Sequence, residues 1–283
     1  MIILLFTIAM FSCNNKEPQT QSENSNNNKS RAIVEMQERN RIALVIGNSN
    51  YSNKKLENPV NDARDVADKL KSLGFETFKY ENLSKKNMKI AINDFGDKLR
   101  RNDVAFFYFA GHGTFDGFNY LIPIDANLSY KADFENEYIN ASSILNTMEK
   151  TDTYLNIIII DACRNTSNER SIRVISDNQR LTQKRLPGSI IVYATAPGNA
   201  AIDNAGTNGL FTSMLLKYID NPGMSIHEIF QRTGKDVIKV SNKKQIPWIH
   251  YSFYDDFYFI GGSNKSEIEN QDDNNKNDND SID

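Results

Sequence analysis

The sequence predicts an α/β domain with a mostly parallel central sheet and helices on both of its faces. Two long apolar runs, residues 104–113 (VAFFYFAGHG) and 154–162 (YLNIIIIDA), lack the polar alternation of half-exposed strands. β-branched and aromatic residues favour strands, and uninterrupted apolar runs favour strands that are covered on both faces. Strand patterns alternate with helical patterns along the chain, which favours right-handed crossovers and a parallel sheet.

The other elements follow from local signals, taken in chain order. Apolar residues at helical spacing end at Gly74, a residue type that commonly follows a helix, and Ser84 is a favourable helix N-cap. We predict further strands at residues 41–46, 75–80, 188–195 and 257–260, with a hairpin at 118–124. We predict helices at residues 60–73, 84–99, 141–150, 210–219 and 226–240.

The overall composition excludes several classes of protein. The 283 residues carry a formal net charge of −3 and no long run of Lys or Arg, which argues against a nucleic-acid-binding surface. The two cysteines, Cys13 and Cys163, form no CxxC pair, and no cluster of histidines could complete a zinc site. We therefore predict a free thiol at Cys163, no metal site and no cofactor, with any calcium requirement left open.

The two ends of the chain differ in composition from the predicted domain at residues 41–262. Residues 1–13 are a short apolar run that ends in a cysteine and resembles a signal peptide with a loose bacterial lipobox. This resemblance predicts lipidation of Cys13 and anchoring at a bacterial cell envelope, with a secreted or periplasmic protein or a misassigned start as alternatives. Residues 14–40 form a polar linker and 263–283 an Asn/Asp-rich tail, both too polar to offset the entropy of ordering.

Each of the two long apolar runs ends in a residue with catalytic chemistry. His112 lies between two glycines, and Cys163 follows Asp161 and Ala162. Ligand sites of open α/β sheets lie at the carboxyl ends of the strands, so neighbouring parallel strands would bring both residues to one edge. A thiol beside an imidazole predicts a Cys–His dyad, because the imidazole can take the thiol proton. The alternative is that Cys163 is a small buried hydrophobic residue.

These motifs resemble the caspase-like cysteine peptidases, the group that contains caspases, metacaspases and paracaspases. His112 precedes Cys163 by 51 residues, close to the spacing of about 50 found in caspases. Five further segments, within roughly residues 40–262, resemble paracaspase-type and bacterial members in the same order: ALVIGNSNY, LENPVNDA, GFNYLIPIDA, YATAPGNAAID and NGLFTSMLL. The resemblance implies a caspase-like fold and peptide hydrolysis by a Cys–His dyad without a third acid.

The resemblance also assigns roles to individual residues. It implies an oxyanion hole made by the backbone N–H groups of Gly113 and Cys163. Asp62 matches the acidic pocket residue of paracaspases, while Asp161 and Asp203 stand where caspases carry Gln and Arg. Carboxylates at these positions predict a pocket for Arg, or for Lys, because a guanidinium pairs well with carboxylates. Two alternatives stay open: Asp62 could cap the nearby helix, and Asp203 could serve a Gly/Asn turn.

The predicted function is therefore a cysteine-type endopeptidase that cleaves peptide or protein substrates after Arg or Lys. The polar loop at residues 165–187 matches the linker that is cut in caspase maturation, which predicts self-cleavage after one of Arg170, Arg173, Arg180, Lys184 and Arg185. One alternative is a catalytically silent caspase-like scaffold. Another is a flavodoxin-like nucleotide binder, although the loop after the first strand lacks a GxGxxG pattern.

Overall fold

The computed structural model describes residues 38–52, 54–127, 134–163, 165–166, 188–196, 201 and 206–261. The predicted leader, most of the predicted linker and the predicted tail lie outside the described residues. The same holds for the predicted lipidation site, one predicted pocket carboxylate and the predicted self-cleavage positions, namely Cys13, Asp203, Arg170, Arg173, Arg180, Lys184 and Arg185.

The described chain alternates strands with helices, as predicted. The strands are β1 (Arg41–Gly47), β2 (Glu76–Glu81), β3 (Val104–Gly111), β4 (Gly113–Asp116), β5 (Phe118–Leu121), β6 (Ile139–Asn140), β7 (Leu155–Ala162), β8 (Asn165–Thr166), β9 (Ser189–Tyr193) and β10 (Trp248–Tyr251). The helices are α1 (Pro59–Ser72), α2 (Lys85–Lys98), α3 (Phe134–Glu137), α4 (Ser142–Glu149), α5 (Leu210–Tyr218) and α6 (Ile226–Val240). Ser84 caps α2, as predicted, by accepting a hydrogen bond from the N–H of Asn87. None of the helices in the described ranges has both the length and the hydropathy that a membrane span requires.

The central sheet has six strands in the order β10-β9-β7-β3-β1-β2. All neighbouring strands in it are parallel except β9 and β10, which confirms the predicted, mostly parallel sheet. β3 and β7 lie at its centre. Every residue of these two strands is buried, as their uninterrupted apolar sequences predict.

Helices cover both faces of the central sheet, which confirms the predicted layers. Successive strand residues point to opposite faces, so Ile157 and Ile159 of β7 pack in one core while Ile158 and Ile160 pack in the other. Apolar residues of α1, α5 and α6 complete the first core, and those of α2 and α4 complete the second. The four isoleucines therefore contribute to both layers, which explains why this strand has no polar alternation.

A second, smaller sheet has the order β6-β5-β4-β8. β4 starts at Gly113, immediately after β3, and forms an antiparallel hairpin with β5. β8 follows β7 closely and pairs in parallel with β4. The two sheets are therefore joined at the point where β3 and β7 end.

The hairpin predicted at residues 118–124 is displaced along the chain. Its two strands span residues 113–116 and 118–121, and the chain reverses at Gly117, which has a φ of 71°. A positive φ of this size favours glycine, and it places the turn earlier than the apolar pattern of residues 118–124 indicated.

The last predicted strand, residues 257–260, is wrong. Phe257 and Phe259 are buried in the first core, but Tyr258 forms an isolated bridge with Ser225 beside α6 and does not join the sheet. The strand at this edge of the sheet is β10. Its residues are exposed or half-buried, because an edge strand has one uncovered side, and its sequence therefore lacks the apolar run that predicts a buried strand.

Candidate active site

The register of the two central strands brings His112 and Cys163 to the same edge of the sheet. β3 and β7 are parallel neighbours, and their pairing ends with Gly111 opposite Ala162. His112 and Cys163 are the next residues along the chain, so both leave the sheet at its carboxyl edge. This is the edge at which open α/β sheets hold their ligands.

The strand pairing of the smaller sheet begins directly after His112 and Cys163. Beyond His112, β4 pairs with β8 so that Thr114 lies opposite Asn165. Gly113 lies between the two sheets, and a Cβ atom at this position would be 2.8 Å from the backbone oxygen of Cys163. That distance is too short for any side chain, so glycine is required for this close approach. Cys163 itself is half-buried.

The imidazole of His112 is oriented by a backbone carbonyl group. Its Nε2 atom lies 2.6 Å from the backbone oxygen of Lys54, in the loop after β1. A carbonyl oxygen can only accept a hydrogen bond, so Nε2 carries the proton and Nδ1 is the basic nitrogen of the neutral ring. Nδ1 is then the atom that can accept a thiol proton. Lys54 cannot be found from sequence patterns, because it contributes a backbone atom that every residue type has.

The hydroxyl group of Tyr51 holds the backbone of His112 in place. It accepts a hydrogen bond from the N–H of His112 at 2.9 Å and donates one to the backbone oxygen of Ile122 at 2.9 Å. Tyr51 is buried, and this burial raises the pKa of its hydroxyl, which therefore stays protonated and able to donate. The segment ALVIGNSNY ends in this tyrosine, but nothing in its local pattern indicates a partner 61 residues away.

Two predicted pocket carboxylates bind the N-terminus of the same helix. Asp161 lies at the end of β7, where its Oδ2 accepts a hydrogen bond from the hydroxyl of Thr212 at 2.7 Å. Asp62 lies in the first turn of α1, and its Oδ1 accepts a hydrogen bond from the N–H of Gly209 at 2.9 Å. Gly209 is the N-cap of α5, so Asp62 does take part in helix capping, although the helix is α5. The positive end of the helix dipole favours negative charges at this point.

Three carboxylates, those of Asp62, Asp161 and Asp65, act on one buried hydroxyl group, that of Tyr108. Complete burial in β3 raises the pKa of its hydroxyl well above the usual value, and the negative charges of Asp62, Asp161 and Asp65 raise it further. We refer to Asp62, Asp65 and Asp161 as the acidic cluster. Across the described ranges, no group of three or more His, Cys, Asp and Glu side chains has a geometry that could hold a metal ion.

The family model of the caspase domain, Peptidase C14, matches residues 40–258. The match covers more than half of the 283 residues and includes both strands that end at His112 and Cys163. The chain belongs to the caspase domain family. It is therefore a member of a peptidase family, and the alternative of a flavodoxin-like nucleotide binder is excluded.

Two curated relatives share a part of this caspase domain. The chain is 29% identical over 182 residues to mucosa-associated lymphoid tissue lymphoma translocation protein 1 of Homo sapiens, and 29% identical over 182 residues to its homolog in Mus musculus. The aligned segment covers 62% of this chain but 21% of each relative. The similarity is thus confined to a part of much longer proteins, and the predicted place among bacterial, paracaspase-type members stays a prediction.

Proposed function

We propose that this caspase domain is a cysteine endopeptidase that cleaves peptide bonds after Arg, or after Lys, with His112 and Cys163 as its catalytic dyad. The observation that carries the proposal is the strand register, with Gly111 opposite Ala162, because it delivers an imidazole and a thiol to one edge of the sheet. Membership in a peptidase family supports it. The presence of both residues argues against the alternative of a catalytically silent scaffold, since such proteins usually lack one of them.

In the proposed mechanism, Nδ1 of His112 takes the proton from Sγ of Cys163. The backbone oxygen of Lys54 supports this step, because its hydrogen bond with Nε2 leaves Nδ1 as the basic nitrogen. The thiolate then attacks the scissile carbonyl carbon, and the carbonyl oxygen becomes an oxyanion. The backbone N–H groups of Gly113 and Cys163 are the proposed donors to this oxyanion, and one such donor typically contributes about 10²–10³ in rate.

His112 also serves the remaining steps. The imidazolium gives its proton to the leaving amine as the C–N bond breaks, which leaves an acyl-thioester on Cys163. The neutral imidazole then takes a proton from a water molecule, and the resulting hydroxide attacks the thioester carbon. Breakdown of this intermediate releases the carboxylic acid product, and the proton returns to the thiolate, so both groups recover their starting states.

The acidic cluster supports specificity for a basic side chain. Asp62 and Asp161 are both buried, and both act electrostatically on the hydroxyl of Tyr108. Neighbouring carboxylates repel one another, and a cation between them relieves this repulsion. A guanidinium group, with five donors in a planar fork, suits carboxylates better than an ammonium group, so we propose that Arg is preferred over Lys. Asp203, which lies outside the described residues, is proposed as a third carboxylate of the pocket.

The experiment that tests this function is hydrolysis of matched fluorogenic peptides with Arg, Lys, Asp or Gln before the cleavage position. We expect turnover with Arg, weaker turnover with Lys, and none with Asp or Gln. Alkylation with iodoacetamide should abolish turnover, and Cys163→Ala should be inactive with an unchanged thermal unfolding transition. Turnover that survives alkylation contradicts a thiol nucleophile, and a folded protein that cleaves none of the peptides favours the silent scaffold.

Self-processing in the loop at residues 165–187 is a further part of the proposal. Residues 165–187 lie between β7 and β9 in the sequence, and these two strands are parallel neighbours, so strand pairing would hold the two fragments together after cleavage. The basic residues of the loop are the proposed cleavage positions: Arg170, Arg173, Arg180, Lys184 and Arg185. A denaturing gel should show two fragments for the wild type and one intact chain for Cys163→Ala. The same pattern in both proteins contradicts self-cleavage.

The proposed location follows from the leader alone. The apolar run that ends at Cys13 supports a lipid anchor at a bacterial cell envelope, with a secreted or periplasmic location as the alternative. Mass spectrometry of the mature N-terminus should find a lipid-modified Cys13. An unmodified Cys13 contradicts the anchor and leaves the peptidase proposal untouched.

A further inference from the structure

Of the four aromatic residues in β3, Tyr108 is the one that carries a hydroxyl group. Phe106, Phe107, Tyr108 and Phe109 are all completely buried, so packing alone does not require a hydroxyl group at any of these positions. Tyr108 lies two residues before the partner of Asp161 in the strand register, and alternate strand residues share a face. The hydroxyl of Tyr108 therefore lies on the same face of the sheet as the Asp161 carboxylate.

Tyr108 and Thr212 form a chain of hydrogen bonds that ends on Asp161. The Tyr108 hydroxyl oxygen lies 2.5 Å from Oγ1 of Thr212, which in turn lies 2.7 Å from Oδ2 of Asp161. An ionised carboxylate can only accept hydrogen bonds, so the Thr212 hydroxyl donates a hydrogen bond to Asp161 and accepts one from the Tyr108 hydroxyl. The side chains of Tyr108 and Thr212 are completely buried, so water cannot replace these bonds. The direction of the chain is therefore fixed.

The chain also ties Asp161 to a rigid element. Thr212 lies in the first turn of α5, and the N-cap of this helix, Gly209, binds Asp62 at 2.9 Å. The carboxylates of Asp62 and Asp161, which come from different parts of the fold, are thus both fixed at the N-terminus of α5. Such fixed placement is what recognition of a planar group with several donors requires.

We propose that Thr212, supported by Tyr108, is a positioning residue that fixes the Asp161 carboxylate for recognition of an arginine side chain in the substrate. This rests on the proposed function, because it takes Asp161 as a carboxylate that binds the substrate. A guanidinium group forms two parallel hydrogen bonds with a carboxylate only when the carboxylate holds one orientation. An ammonium group behaves as a point charge and tolerates rotation of the carboxylate. Loss of the positioning bond should therefore weaken arginine recognition more than lysine recognition.

Thr212→Val tests this proposal, because valine keeps the shape of threonine and removes the hydroxyl group. We expect kcat/KM for the Arg peptide to fall about tenfold, mainly through a higher KM. A tenfold change corresponds to the free energy of about one hydrogen bond to a charged group. For the Lys peptide, kcat/KM should fall by less than about threefold. Thr212→Ser restores the hydroxyl and should recover most of the Arg-to-Lys ratio. Tyr108→Phe leaves the bond from Thr212 in place and should have a smaller effect than Thr212→Val.

Thr233→Val is the matched control for this substitution. Thr233 is as completely buried as Thr212 and also lies on a helix, but its Oγ1 has no hydrogen-bond partner among the described residues. This variant should keep the wild-type kinetics for both peptides. If Thr212→Val lowers kcat/KM equally for the Arg and Lys peptides, or leaves both unchanged, the positioning role is overturned, since a merely structural role would not change the ratio.

A binding measurement separates the positioning role from the proposed reaction. Agmatine, a small guanidinium compound, can be titrated calorimetrically into Cys163→Ala, where no chemistry occurs. We expect agmatine to bind to Cys163→Ala. Its affinity for the double variant that also carries Thr212→Val should be at least about fivefold weaker. If agmatine behaves in this way but the wild type cleaves no peptide, the positioning role stands and the peptidase assignment falls. If agmatine does not bind, or binds equally well to both variants, the positioning role is overturned even in an active enzyme.

Discussion

The hydroxyl group of Tyr51 joins the loop after β1 to the backbone of His112, and the rings of these two residues pack with centroids 4.5 Å apart. The same hydroxyl donates a hydrogen bond to the backbone oxygen of Ile122. One buried group therefore links three segments of the chain around the candidate base. This arrangement couples the stability of the site to the alignment of the imidazole.

Tyr51→Phe should lower both stability and turnover. The change removes the acceptor for the His112 N–H and the donor to Ile122, and a buried group that loses its partner costs about 1–3 kcal/mol. We expect kcat on the Arg peptide to fall about tenfold with KM little changed, because the imidazole is less well aligned. Denaturant unfolding and steady-state kinetics measure the two effects.

Tyr251→Phe is the control for this prediction. The Tyr251 hydroxyl is buried without a hydrogen-bond partner in the described part of the chain, and burial raises its pKa to about 12. Removal of this hydroxyl should leave the free energy of unfolding unchanged or slightly increased, with normal kcat. If the variants at positions 51 and 251 behave alike, Tyr51 has no role in aligning His112.

Removal of one negative charge from the acidic cluster should weaken cleavage after Arg. Asp62→Asn keeps an oxygen acceptor for the Gly209 N–H and removes the charge, and Asp161→Asn is the equivalent change at the strand end. Loss of one partner of a buried charge pair costs about 2–5 kcal/mol, and about 1.4 kcal/mol corresponds to a factor of ten. We therefore expect kcat/KM for the Arg peptide to fall at least tenfold in each variant.

Asp68→Asn provides the matched control on the same helix as Asp62. Its side chain is 75% exposed and forms a surface ion pair with Lys71, so the change should have little effect on kinetics. A wild-type preference for Asp at the cleavage position would contradict the Arg pocket. So would unchanged kinetics in both cluster variants.

Gly113→Ala should disrupt the candidate oxyanion hole. The added Cβ would lie 2.8 Å from the backbone oxygen of Cys163 and 2.9 Å from Cβ of Ala162, so the two segments must move apart. Overpacking of this kind costs about 1–3 kcal/mol of stability, and displacement of an oxyanion donor should lower kcat by about 100-fold or more. Stopped-flow or steady-state kinetics on the folded fraction measure the change in kcat.

Gly234→Ala is the control for added volume at a glycine. A Cβ at this position, inside α6, would meet nothing within 4 Å. Because alanine is the better helix former, this variant should be about 0.5–1 kcal/mol more stable than the wild type, with unchanged kcat. Normal kcat in Gly113→Ala would show that the Gly113 N–H does not bind the oxyanion.

The sequence predicts best those parts of the fold that depend on long apolar runs. β3 and β7 are buried on both faces, so their sequences lack polar alternation and can be recognised without a structure. His112 and Cys163 follow directly from these strands, because a residue at the end of a central parallel strand lies at the edge that holds ligands. β10 is missed because an edge strand with one open side has no such run.

The groups that surround the dyad and the pocket are harder to predict. Lys54 contributes a backbone oxygen, and the hydroxyl of Tyr51 reaches a backbone N–H, so neither contact depends on a local motif. Thr212 lies 51 residues from Asp161, on a helix whose sequence is that of an ordinary amphipathic segment. Such contacts form when distant segments pack, and neither residue spacing nor helix propensity encodes them.

The most direct test of the central claim compares kcat/KM on the Arg peptide for the wild type, Cys163→Ala and His112→Ala, each corrected for its folded fraction. The strand register that places both residues at one edge predicts that they act as a unit. Each substitution alone should then lower kcat/KM by about 10³ or more. The kcat/KM of the double variant should be no lower than that of the less active single variant. If either single variant retains kcat/KM within about tenfold of the wild type, His112 and Cys163 are not the catalytic dyad.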